Sequence, residues 1–139
     1  MAEDFILPVG ERAREMAVEW MASVLEDLVD RRLTGIGVVL GSGRMEFTLR
    51  QALATHASMH NAEGWLFREA LMRAGEECGL GVVGAHESAA YEQAAAVAGL
   101  SAADLEGRIL ELGREVGAPW GKDQKLAAAV AWLALGQLS

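Results

Sequence analysis

The stretch "TGIGVVLGSG", residues 34–43, constrains the fold more than any other part of the chain. It is short, bounded by glycine, rich in β-branched residues and apolar at successive positions. A strand made from it has both faces covered and belongs inside a sheet. A second run of the same kind, "LGVVGA" at 80–85, predicts another short strand. The segments around these two runs have helical periodicity. "GERAREMAVEWMASVLEDLVDRRL" repeats Ala13, Met16, Ala17, Trp20, Met21, Val24, Leu28 and Val29 at intervals of three and four, the pattern of a long helix with one buried stripe. "AEGWLFREALMRAGEECG" predicts a helix carrying Trp65, Leu66, Ala70, Leu71 and Ala74 inward and stopped by Gly79. Strands that alternate with helices need crossover connections, which implies some parallel pairing. The expected fold class is α/β, a small layered and partly parallel sheet covered by helices.

The carboxyl-terminal half adds three helices. "ESAAYEQAAAVAGL" ends at Gly99. Ser101, with Asp104 three residues later, opens a helix whose stripe is Leu105, Ile109 and Leu112. "KDQKLAAAVAWLALGQL" is so apolar after Lys125 that it is expected to be mostly buried, against the sheet. "MEFTLRQALATH" nearly alternates at Phe47, Leu49, Gln51 and Leu53 and is read as a further strand, although Ala and Gln suit a helix as well.

With 139 residues, no linker and no internal repeat, residues 1–139 are expected to form one domain. A composition of 52% hydrophobic and 23% charged residues excludes intrinsic disorder, and no apolar run reaches the length needed to span a bilayer. The start, "MAEDFILPVGERAREM", has acidic residues where a secretory signal has basic ones, so a cytoplasmic location without a membrane partner is expected. Cys78 is the single cysteine and is given no role. Twenty acidic residues face 12 basic ones, a net charge of -8 that disfavours nucleic acid as a partner. So small a sheet suggests a homodimer that continues it or pairs its helices.

Three groups of residues carry possible chemistry. In "THASMHNAEG", His56, His60 and Glu63 are spaced i, i+4 and i+7 and on a helix fall within about 60° of one another. Two imidazoles and a carboxylate so placed suit Zn²⁺ or Fe²⁺. On an extended chain His56 and His60 are about 13 Å apart instead and share no ion. Asn61 as N-cap of a helix starting at Ala62 would leave both histidines outside it. In "GAHES", His86 and Glu87 stand just past a strand, where open α/β sheets place functional side chains; Glu87 or Ser88 can equally cap the next helix. Asp123 opens the last helix, as a cap or as the partner of Glu87 in holding Mg²⁺ or Mn²⁺. Gly41, Ser42 and Gly43 are read as a tight turn bordering a pocket, since "GVVLGSGR" lacks the Lys-Ser/Thr end of a nucleotide loop.

The last two thirds of the chain resembles the RNase H-like superfamily, in its YqgF and RuvC (Holliday-junction resolvase) branch. The resemblance rests on "EWMASVLEDLVDRRLTGIGVVLGSG", a long helix leading to a buried strand; on "EECGLGVVGA", a helix and strand; on His86, Glu87 and Ser88 where YqgF-like proteins have an acidic tripeptide; and on "KDQKLAAAVAWLAL", like the family's "DKxAA" helix. It implies an RNase H-like half, with Glu87 and Asp123 as metal-binding carboxylates and His60 or His86 as proton carrier in phosphodiester hydrolysis. The family's opening three-stranded meander, with its Asp, has no counterpart ahead of the long helix. The implied domain is therefore of doubtful catalytic competence. Two other readings stand beside it: a non-enzymatic dimeric interaction module, and a small zinc or iron protein using His56, His60 and Glu63.

Overall fold

The computed structural model describes residues 3–41 and 56–139, with side chains from 8 to 41 and from 63 to 139. In chain order it contains α1 (Glu3–Asp27), β1 (Gly35–Val39), α2 (His56–Glu77), β2 (Gly81–Ala85), α3 (Ala90–Ala98), α4 (Ala102–Val116) and α5 (Lys122–Leu138). Among the described residues the chain is mixed α/β and mostly helical, five helices and a two-stranded parallel sheet. These elements fall into two compact units. One holds α1 and α2, the other both strands with α3, α4 and α5.

In the sheet-bearing unit β1 and β2 pair in parallel, Gly35 opposite Gly81, Gly37 opposite Val83 and Val39 opposite Ala85. The ladder runs one step further, with the Leu40 N–H donating to the Ala85 carbonyl at 2.9 Å. Helix α5 covers the face that carries these residues. A Cβ on Gly37 would sit 2.6 Å from the Val130 carbonyl carbon, and the Leu138 side chain occupies the space above Gly35 and Gly81. The glycines of β1 thus let a helix backbone lie directly on a strand, the close approach that glycine in a strand permits.

The core of this unit lies between α5, α3 and α4. Leu105, Ile109, Val130 and Leu133 are fully buried, and Ala90, Ala94, Ala95 and Ala129 fill the gaps between them. Each of the large side chains contributes about 1.5–3 kcal/mol by leaving water. Small residues set the spacing of α3 and α5: Gly136 lies against Val97, with no room for a Cβ. Gly99 takes a left-handed φ of 67° and ends α3 as expected, with the Leu100 N–H donating to Ala95 at 2.9 Å. The expected cap of α4 is also present. The Ser101 hydroxyl accepts from the Asp104 N–H at 3.1 Å and donates to the Asp104 carboxylate at 2.7 Å.

In α4 the inward stripe is Leu105, Ile109 and Gly113, whereas Leu112 is partly exposed, a departure from the expected stripe. Trp120 covers the last residue of this stripe. Its indole rests on Gly113, where any side chain would collide with the ring, and its Nε1–H donates to the Ile109 carbonyl at 3.1 Å. Helix α5 buries one face, Leu126, Ala129, Val130, Leu133 and Ala134, and leaves Leu135 exposed, so it is less enclosed than its composition suggests.

In the helical unit Met21, Ala70 and Ala74 are buried, and Gly10 of α1 faces Leu66 of α2. The Glu69 carboxylate accepts from Arg14 of α1 at 3.5 Å and from Arg73 of its own helix at 3.0 Å. Helix α1 starts at Glu3, seven residues ahead of the expected position, and ends at Asp27, so Leu28 and Val29 lie beyond its end. Met16 and Trp20, expected on the buried stripe, are more than half exposed. At 100° per residue they sit about 140° and 100° around the helix from Met21, too far to share its face. Helix α2 starts at His56, so Asn61 is not its cap. The strand expected at residues 45–56 falls outside the described residues except for His56, which is helical. Among the described residues no helix is long and apolar enough to cross a membrane.

Candidate functional site at the carboxyl edge of the sheet

Parallel strands end together, and here their carboxyl ends are joined by backbone. Gly41 follows β1 with a φ of 77°, a left-handed turn suited to glycine. Its carbonyl accepts from the Glu87 N–H at 3.1 Å. The same carbonyl lies 3.2 Å from Nδ1 of His86, which assigns the ring proton to Nδ1. His86 is therefore half-buried and oriented by the end of the neighbouring strand.

The next residues turn into α3. The Ala89 and Ala90 N–H groups both donate to the His86 carbonyl, at 3.1 and 3.0 Å. Ala89 is the N-cap, with no side-chain cap hydrogen bond, so neither Glu87 nor Ser88 serves as a cap. Glu87 reaches instead across 35 positions of sequence to Lys122 in the first turn of α5, accepting from its ammonium group at 2.7 Å. That hydrogen bond, with the negative charge of Glu87 behind it, raises the Lys122 pKa above its ordinary value of 10.5. The start of α5 is closed by Gln124, whose side-chain oxygen accepts from the Gly121 N–H at 2.9 Å.

Beside the ion pair lies a hollow of about 520 Å³ lined by Glu87, Ser88, Tyr91, Lys122, Lys125 and Leu126. Tyr91 is half-buried, and burial, followed by the charge of Glu106, raises the pKa of its hydroxyl above 10.0. Lys125 is also half-buried and has no hydrogen-bond or ion-pair partner among the described residues.

The residues expected to carry chemistry fare differently. Glu87 meets the start of α5 at Lys122. Asp123 is exposed in the first turn of α5 and does not line the hollow. A divalent ion held by Glu87 and Asp123 would compete with the Lys122 ammonium that already pairs with Glu87. Among the described residues no group of three or more His, Cys, Asp or Glu side chains converges on a possible ion. His56, His60 and Glu63 do lie on one helix, with the i, i+4 and i+7 spacing intact. The side chains of His56 and His60 lie outside the described ones, and Glu63 is exposed. Ser42 and Gly43 lie outside the described residues; Gly41 is the part of that turn that is seen.

Lys122 and Tyr91 are the site residues that sequence reasoning missed. The "GKDQK" segment does show two lysines flanking Asp123. No family model matches the chain, and no curated protein or solved structure matches it significantly.

Proposed function

We propose that the chain is an RNase H-like α/β domain of the YqgF and RuvC type that binds at the carboxyl edge of its sheet and does not cut. The order of elements supports the layout: a long helix, a partly buried strand, a helix, a parallel strand, and a final helix whose first turn meets Glu87, two residues past β2. The Lys122 ammonium at 2.7 Å from Glu87 carries the non-catalytic part of the reading, because it supplies at that carboxylate the positive charge that a nuclease takes from Mg²⁺ or Mn²⁺. The exposed Asp123 is then a helix-start carboxylate favoured by the helix dipole. Self-association belongs to the same reading, and sedimentation equilibrium tests it.

Mn²⁺ titration followed by paramagnetic broadening of backbone amides tests the assignment. The expected result is no saturable broadening at Glu87 or Asp123 and no phosphodiester cleavage. Stoichiometric Mn²⁺ binding that disappears in Glu87→Ala and Asp123→Ala would sink it.

A second reading is favoured by the start of α2 at His56, which puts His56, His60 and Glu63 on one helix, as a Zn²⁺ or Fe²⁺ site requires. Elemental analysis of the purified protein decides this reading. Zinc or iron at one per chain, lost in His60→Ala, supports it, and absence of both metals removes it.

A further inference from the structure

The hollow beside Glu87 has an imbalance of hydrogen-bonding groups. Its polar groups are two ammonium groups, a serine hydroxyl, a tyrosine hydroxyl and one carboxylate, and that carboxylate is taken by Lys122. Among the described residues the Lys125 ammonium, the Ser88 hydroxyl and the Tyr91 hydroxyl have no protein partner. The raised Tyr91 pKa keeps its hydroxyl protonated and able to donate. All three can donate and are open to solvent, so an acceptor entering the hollow can engage them together.

Charge points the same way. In a chain of net charge -8, the lining carries two positive groups against one negative, with the Glu106 and Asp123 carboxylates acting from outside it on Tyr91 and Lys122. Lys125 is half-buried and has no hydrogen-bond or ion-pair partner among the described residues, so its ammonium is available to a ligand. The Leu126 side chain and the Tyr91 ring add apolar surface. About 520 Å³ lies within the range of small-molecule sites.

We infer that this hollow binds a small phosphomonoester, its phosphate held by Lys125, Lys122, Ser88 and Tyr91 and its carbon frame against Leu126. A phosphate suits the site better than a carboxylate, because its three terminal oxygens can meet donors arriving from two helices and a turn. Its charge of nearly two matches the two lysines once Glu87 is displaced or shared. This inference rests on the reading of the carboxyl edge as a metal-free binding site.

The test uses the full chain in about 0.15 M salt, where weak surface attraction is screened. Inorganic phosphate, phenyl phosphate and benzoate are titrated separately and followed by amide shifts and by ³¹P resonances. Saturable binding is expected for phenyl phosphate, weaker binding for inorganic phosphate, and shifts at Ser88, Tyr91, Lys122 and Lys125. Lys125→Gln should weaken phenyl phosphate by about tenfold or more, the loss of a charge-assisted bond. Lys125→Arg should retain most of the affinity, and Arg73→Gln, on the other unit, should leave it unchanged. An amide spectrum of each variant confirms its fold. Absence of saturable binding, affinity unchanged in Lys125→Gln, or benzoate binding as tightly as phenyl phosphate would each overturn the inference. The Mn²⁺ titration is independent of these arms: site-specific Mn²⁺ at Glu87 overturns the metal-free reading, whereas failure of phosphate alone leaves that reading standing.

Discussion

Each of the two units of this chain has its own internal means of cohesion. The sheet-bearing unit is a close-packed assembly in which Gly37, Gly113 and Gly136 each remove a side chain so that a backbone, an indole or a valine can approach. Its core includes Leu105, Ile109, Val130 and Leu133 at 1% exposure or less. The helical unit relies on Met21, Ala70 and Ala74, on the Arg14, Glu69 and Arg73 ion pairs, and on a packing contact at Gly10 that would accept a methyl group. Val9, Met16, Trp20 and Phe67 stay substantially exposed there. The comparison shows that the same sequence device, a glycine or alanine between larger apolar residues, is a strict spacing requirement in one unit and a loose one in the other.

The largest expected effect separates the two cores. Leu133→Ala removes a side chain that is 1% exposed and leaves a cavity among residues that cannot close over it, so a loss of about 2–5 kcal/mol is expected in urea unfolding. Trp20→Ala removes a larger side chain that is 58% exposed and should change stability by no more than about 0.5 kcal/mol. Equal losses at the two positions would mean that Trp20 is covered in solution, and the contrast between the units would fail there.

Next in size is Gly37→Ala. The added Cβ would lie 2.6 Å from the carbonyl carbon and oxygen of Val130 and 2.8 Å from the Ala131 nitrogen, all backbone atoms that move only with the whole helix. A loss of about 1–3 kcal/mol is expected, the usual cost of overpacking. A neutral outcome would show that α5 can lift from β1 at little cost.

These glycines also mark what was legible from the residues alone. The two strands were readable because "GIGVV" and "GVVGA" are apolar throughout and bounded by glycine, and the Ser101 and Gly99 signals work locally through hydrogen bonds within four or five residues. The start of α2 was not. Asn61 is a good cap residue, but within a helix it costs only a few tenths of a kcal/mol relative to other polar residues, so continued backbone hydrogen bonding overrides it. The inward face of α1 is not legible in the residues, because Met16 and Trp20 are as apolar as Met21 and their angular offset outweighs their chemistry. At the candidate site Glu87 was readable from its place after a strand. Its partner was not, since a contact between positions 87 and 122 exists only after α5 has docked.

The same glycine test in the helical unit has the opposite sign. A Cβ at Gly10 would meet Leu66 Cδ1 at 3.5 Å, an ordinary contact, and the residue lies inside α1. Gly10→Ala is expected to stabilise the protein by about 0.5–1 kcal/mol through helix propensity. Destabilisation here would show that α1 and α2 approach as closely as α5 and β1 do.

The smallest effect concerns alkaline pH, where the electrostatics of the two units diverge. The helical unit's ion pairs join Arg14 and Arg73 to Glu69. In the other unit two groups release protons. Burial and the charge of Glu106 place the folded-state pKa of Tyr91 above 10.0, and the hydrogen bond to Glu87 places that of Lys122 above 10.5. In both cases the folded chain holds the proton more tightly than the unfolded chain. The stability each contributes is complete below its ordinary pKa and declines as pH rises through the folded value. Tyr91→Phe cannot ionise, so its urea midpoint should fall less than that of the parent between about pH 9 and 11. Lys122→Met should remove a second part of the fall and leave the behaviour of the Arg pairs untouched. An unchanged alkaline slope in both variants would mean that the hollow is as open to solvent as any surface lysine or tyrosine, and its half-burial would then contribute no selectivity for a ligand.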